Sequence, residues 1–129
     1  MSITLGADPA EINLNVIRGA TFRKKITVSA GDTEETAIPV DYTGAIAELQ
    51  IRNLDDATEI YHTMNTTNGG IVLGDATGEI TFFISKEDST AFPWEIGEYE
   101  SLEITYSNGD REGFSRGTVN VGRELTQGN

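Results

Sequence analysis

Apolar and polar residues alternate one by one along most of this chain, and glycine, asparagine or aspartate breaks the alternation at short intervals. A period of two sends successive side chains to opposite faces of an extended strand, so each run buries one face. In IAELQIR, Ala47, Leu49 and Ile51 share a face, and Glu48 and Gln50 take the other. INLNVI sets Leu14 and Val16 against Asn13, Asn15 and Ile17. TFRKKITV follows after Arg18-Gly19, with Phe22, Lys24, Ile26 and Val28 on one side and Arg23, Lys25 and Thr27 on the other. Lys24 on the inner side predicts a place near an edge or strand end, where its stem can carry the ammonium to water. In EITFFIS, Ile80, Phe82 and Ile84 point one way, which leaves Thr81 and Phe83 pointing the other.

The breaks predict turns. SAGDTEET at 29–36 is a small, acidic loop, and Pro39 places the short strand at 37–41 on a sheet edge. NLDDATE turns into IYHTMNT, where Tyr61, Thr63 and Asn65 alternate with Ile60, His62 and Met64. Asn68-Gly69-Gly70 is a tight turn, GDATG closes a hairpin, and Ser107-Asn108-Gly109-Asp110 is the strongest hairpin signal. Two strands slip phase. In GEYESLEITY, Tyr99 is out of step with Leu102 and Ile104, which predicts a bulge near Glu100-Ser101. In the last strand the step lies between Phe114 and Val119/Val121, which predicts a second bulge at Gly117. KEDSTAFPW is the one candidate helix, a single turn capped by Ser85 with Asp88 in support and stopped by Pro93.

Seven to nine short strands with almost no helix pack as two antiparallel sheets, an all-β sandwich. The expected division is an extended N-terminal arm at 1–11, a sandwich domain at 12–123 and a frayed tail at 124–129. The expected core is Leu14, Val16, Phe22, Ile26, Val28, Ala47, Leu49, Ile51, Ile80, Phe82, Ile84, Leu102, Ile104, Val119 and Val121. A chain of 129 residues is the size of one domain and can sustain such a core without staples. It has no cysteine to form a disulfide or a thiolate site.

The chemistry-bearing residues are sparse. Nine Lys and Arg stand against twenty-one Asp and Glu, a net charge of −12 that repels phosphate backbones and anionic membranes. Neither nucleic acid nor a membrane is expected as a partner. No run approaches the ~18 apolar residues of a transmembrane helix, and MSITLGADPAEINLNV lacks the basic start of a signal peptide. His62 is the only histidine, on the face of Ile60 and Met64, so a partly buried structural role is expected and not a triad or zinc site. Asp55-Asp56 with Glu59, and Asp75 with Glu79, lie in turns without the ligand spacing of a calcium loop. Arg23-Lys24-Lys25 alternates faces, so it is expected to neutralise a nearby carboxylate and not to form a patch. Phe92-Pro93-Trp94 follows a turn and is expected to cap the sandwich end. No catalytic, cofactor-binding or metal-binding residue is expected.

The order of INLNVIRGATFRKKITV, PVDYTGAIAELQIRN, NGGIVLGDATGEITFFIS, GEYESLEITYSNGD and REGFSRGTVNV resembles a group of small structural proteins of tailed bacteriophages and prophages. The layout is similar to the immunoglobulin-like N-terminal domain of phage baseplate upper proteins, from about Ile12 to Val121. Arg18-Gly19-Ala20-Thr21-Phe22, Tyr42-Thr43-Gly44, Asn68-Gly69-Gly70-Ile71 and Gly97-Glu98-Tyr99 carry most of the likeness. The resemblance implies an immunoglobulin-like sandwich. It also implies a non-enzymatic virion structural protein, assembled in the host cytoplasm and present in multiple copies. Such a protein would dock onto other virion proteins as a tail, baseplate or fibre-adaptor component. In that setting Ile17, Phe83, Phe92 and Trp94 are the expected partner contacts, and the N-terminal arm could add a strand to a neighbour. Capsid decoration is the alternative within the class. A carbohydrate- or cell-surface-binding module on Phe92, Trp94 and Tyr99 is the alternative outside it, and an acidic-residue hydrolase is the remaining one.

Overall fold

The computed structural model describes residues 2–5, 10–30, 37–113 and 115–122. In chain order the elements are β1 (Ser2–Leu5), β2 (Ala10–Glu11), β3 (Leu14–Ile17), β4 (Phe22–Ala30), β5 (Ile38–Pro39), β6 (Ile46–Arg52), β7 (Ile60–Asn65), β8 (Ile71–Leu73), β9 (Glu79–Ile84), α1 (Lys86–Ala91), β10 (Ile96–Tyr99), β11 (Glu103–Thr105), β12 (Arg111–Gly113) and β13 (Ser115–Gly122). A 3₁₀ turn, Asp75–Thr77, sits between β8 and β9.

Two sheets form the sandwich. The five-stranded sheet runs β1-β4-β9-β8, with β5 also on β4; the eight-stranded sheet runs β12-β11-β6-β10-β13-β2, with β3 on β13 and β7 on β6. The chain starts in the five-stranded sheet with β1, crosses for β2 and β3, returns for β4 and β5, crosses for β6 and β7, returns for β8 and β9, and crosses again for β10 to β13. That is the strand exchange of an immunoglobulin-like sandwich. Pairing is antiparallel except at the N-terminus, where β1 lies parallel to β4 and both β2 and β3 lie parallel to β13. Within the extended N-terminal arm expected at 1–11, β1 and β2 are paired with β4 and β13 of the same chain. The tail at 124–129 lies outside the described residues.

The expected core is buried throughout except Phe22, which is half-buried against it. Ile12, Tyr42, Met64, Ile71, Phe92, Trp94 and Tyr99 join it. Lys24 crosses between the sheets at one end, its Nζ donating to the Asn13 carbonyl at 3.1 Å. The bulge expected near Glu100-Ser101 is present. Glu98 faces Arg52 and Glu103 faces Glu48, so five steps along β10–β11 match four along β6. The extra residue lets Tyr99, Leu102 and Ile104 all face the core.

Gly117 is different. β13 runs unbroken through it, with Ser115, Val119 and Val121 buried in one phase, so the second expected bulge is not there. The glycine is required by close approach: a Cβ at Gly117 would lie 2.0 Å from the Ile12 carbonyl oxygen. The side chain of Phe114, the other half of that expectation, lies outside the described residues. The hairpin at Gly109 has a three-residue loop, with Tyr106 N–H donating to Asp110 O and Gly109 N–H to Tyr106 O. Its φ of +94° places Gly109 in the left-handed region that this loop requires. Ser85 caps α1, accepting from the Asp88 N–H at 3.0 Å.

Candidate docking surfaces

At one end of the sandwich four rings meet. The β6–β7 register places Ile51 opposite His62 and Arg52 opposite Ile60, so Tyr61 is an extra residue in β7. Tyr61 stacks on Trp94 with centroids 4.9 Å apart and planes 7° from parallel. Phe92 lies 4.7 Å from Trp94 and meets His62 edge-on at 5.1 Å. Arg18, from the β3–β4 turn, holds this end closed: Nε donates to Phe92 O at 3.2 Å and a terminal nitrogen to Trp94 O at 3.0 Å. Ser89 of α1 ties in the same turn, accepting from the Gly19 N–H and donating to Ala20 O. Burial lowers the pKa of His62 against a smaller opposing pull from Asp88, so the ring is neutral in this setting.

Phe92 and Trp94 are each only 7% exposed. They cap the sandwich as expected, but the partner contacts expected of them are not on the surface. Tyr99 is also buried, its hydroxyl donating to Ile12 O and its pKa pushed up to about 12, mainly by burial. The three rings considered as a sugar platform thus lie inside the protein.

Phe83 and Ile17 are the expected contacts that reach the surface. Phe83 is half-buried on the outer face of the five-stranded sheet, opposite Arg23, whose guanidinium lies 5.0 Å from the ring centroid. Its other neighbour is Gly70, which has no side chain and whose carbonyl accepts the Phe83 N–H. Lys25 shares this face and pairs with Glu79 at 3.2 Å, which is the carboxylate neutralisation expected of the basic run. Val72, on β8 beside Thr81, is 54% exposed.

The outer face of the eight-stranded sheet carries Ile17 at its β3 edge and three further isoleucines, Ile46, Ile60 and Ile96, all about half exposed. The sequence signal for Ile46 and Ile96 was the strand phase itself, whereas Ile60 shares the phase of Met64 and reaches the outer face only through the extra residue Tyr61. Ile46 is in step with Glu48, and Ile96 with Glu98, both outward positions. Carboxylates lie among them. A depression of about 290 Å³ beside the β10–β11 bulge is lined by Glu48, Gln50, Arg52, Glu100, Ser101 and Glu103, among others. Arg52 is turned onto its own neighbours, donating to Gln50 Oε1 and to Ala57 O. Arg111 bonds Glu103 at 2.9 Å.

The acidic turns are occupied with local bonds. Asp56 accepts from the Thr58 N–H and hydroxyl, which holds its carboxyl below the usual range, and Asn53 Nδ2 donates to Glu59. Asp75 sits in the 3₁₀ turn at φ +46°, and its carbonyl accepts from Tyr42 N–H.

No family model matches the chain, and no curated protein matches it. Among solved structures it is similar to the N-terminal domain of ORF48 of phage TP901-1, at 16% identity and a TM-score of 0.44. The match covers 96% of this chain and 99% of that one.

Proposed function

We propose that this protein is a non-enzymatic structural component of a tailed-phage virion, a tail, baseplate or fibre-adaptor module that docks in several copies onto other virion proteins. The observation that carries the reading is where its exposed apolar side chains stand: Ile17, Ile46, Ile96 and Val72 are on the faces of regular strands. Apolar groups on a flat, rigid face suit contact with another folded surface, whereas a small ligand needs a concave apolar pocket. The motifs that carry the family resemblance support it, because here they form the joints of the sandwich. Arg18 closes the aromatic end, Gly44 takes a φ of +78°, and Gly97 lets Ile51 and Tyr61 approach the β10 backbone.

The test is location. Antibody raised against this chain and applied to purified particles from the encoding cell should label the tail or its tip in electron micrographs. Label confined to tail-less heads selects capsid decoration. Particles that lack the chain by mass spectrometry overturn the virion reading.

A further inference from the structure

We propose that the two outer faces of the sandwich are complementary and that the chain stacks on itself. In this arrangement the five-stranded face of one copy covers the eight-stranded face of the next. The inference rests on the surfaces alone and goes beyond the virion reading, which it does not require.

The chain has nine cations against twenty-one acids, yet two of those cations, Arg23 and Lys25, stand on one outer face with a single acid, Glu79, between the described strands β4 and β9. Counted over its described strands, that face carries two cations against one acid on a molecule whose total is −12. Phe83 on β9 and Val72 on the edge strand β8 share that face, with Arg23 over the Phe83 ring. The opposite outer face has the inverse arrangement. Ile46 and Ile96 flank the carboxylates of Glu48, Glu98, Glu100 and Glu103, while Arg52 and Arg111 are already bonded within the face. Arg116 is the further cation there, at the rim of a second depression shared with Glu11 and Glu98.

Like faces repel, whereas unlike faces bring an apolar patch flanked by two cations onto one flanked by carboxylates. The depression between Glu48 and Glu100 is open to receive the Lys25 or Arg23 head of a neighbour. The overall negative charge does not forbid this contact. The Debye length is about 8 Å at physiological salt, so carboxylates on the far sides of two copies hardly sense each other. Because the two faces lie on opposite sides of one sandwich, the contact is heterologous and propagates into a ring or an open stack.

Sedimentation velocity on the full chain over a wide concentration range at physiological salt tests the idea. Wild type is expected to form concentration-dependent oligomers that weaken as salt rises. Arg23→Glu with Lys25→Glu should weaken association at least tenfold, as should Glu48→Lys with Glu100→Lys. Circular dichroism of each variant should match wild type, since all four side chains are at the surface. Mixing the two variants should restore association, because each then presents the partner face the other needs. Phe83→Ser gives an uncharged check and should weaken association as well. A wild-type monomer at millimolar concentration overturns the proposal. So do oligomers that persist unchanged in both charge variants, or variants whose mixture stays monomeric.

Discussion

At the scale of single residues, two glycines of this fold serve different ends, and substitution should tell them apart. Gly117 lies where the β2–β3 backbone crosses close to β13, so an alanine Cβ at 2.0 Å from Ile12 O forces the strands apart. Gly117→Ala is expected to cost more than about 2 kcal/mol in urea unfolding, at the severe end for a single methyl. Gly109→Ala meets nothing within 4 Å and pays only for its φ of +94°, about 1–2 kcal/mol. A Gly109→Asn change, which tolerates the left-handed region, should recover most of that loss. Arg18→Ala removes two charged hydrogen bonds to the carbonyls of Phe92 and Trp94 and should destabilise by about 1.5–3 kcal/mol. Trp94 reports the event directly, with fluorescence emission moving to the red as water reaches the ring. His62 supplies a pH dependence. Its folded pKa is depressed below the ordinary 6.5 by burial, so the unfolded chain binds the proton first as pH falls. Its contribution is complete above about pH 6.5 and is lost as pH drops toward the folded value. Unfolding free energies measured at pH 7.5 and 5.5 should therefore differ less in His62→Gln than in wild type.

Among the elements, strands that bury one face were readable from the sequence because their apolar phase is unambiguous, as in β6 and β9. The β10–β11 bulge was readable too, since Tyr99 and Leu102 can face one core only if an extra residue lies between them. The bulge at Tyr61 left no such trace. IYHTMN alternates regularly in both phases, with apolar or aromatic residues in each, and only pairing with β6 shows that Tyr61 is extra. Gly117 was ambiguous because glycine marks both bulges and close approaches, and its reason is a backbone more than a hundred residues away in sequence. Phe92 and Trp94 read as a cap on the sandwich end and as partner contacts, without a sign of how deeply they are buried. What buries them comes from β7 and from Arg18, the latter 74 and 76 positions distant. Strand phase alone also could not show that residues 2–5 pair with β4, because an edge segment need not bury a regular face. The bulge beside Glu100 yields the prediction at this scale. Deleting Glu100 restores equal counts against β6 and leaves Tyr99 and Leu102 two positions apart, so Leu102 and Ile104 keep facing the core, whereas deleting Gln50 from β6 puts Leu49 and Ile51 on opposite faces. The Glu100 deletion should keep a cooperative thermal transition by circular dichroism, as should Glu100→Ala, whereas the Gln50 deletion should lose it.

For the molecule as a whole, the sandwich sorts its charge unevenly. Arg23, Lys25 and Lys24 are consecutive in sequence, but the strand sends the first two to an outer face and the third across to Asn13. The carboxylates are spread over the rest of the surface, and a net charge of −12 on 14.0 kDa repels itself more strongly in the compact state than in the expanded one. The folded chain should therefore gain stability as salt screens that repulsion. Potassium chloride is the appropriate salt, because sulfate would also strengthen apolar burial. Raising it from about 10 mM to about 1 M shortens the Debye length from about 30 Å to about 3 Å. The melting temperature, measured at a protein concentration where sedimentation shows monomer at both salt levels, should rise by about 3–5 °C, the equivalent of about 1 kcal/mol for a domain of this size. Arg23→Glu with Lys25→Glu makes the chain more negative still and breaks the Lys25–Glu79 pair. It should melt lower than wild type in dilute salt and gain more from added salt. A melting temperature that falls with potassium chloride in wild type would mean that local ion pairs such as Lys25–Glu79 and Arg111–Glu103 outweigh the global repulsion. Both pairs are solvent-exposed, and exposed pairs contribute about 0–1 kcal/mol each, so the repulsion is expected to dominate.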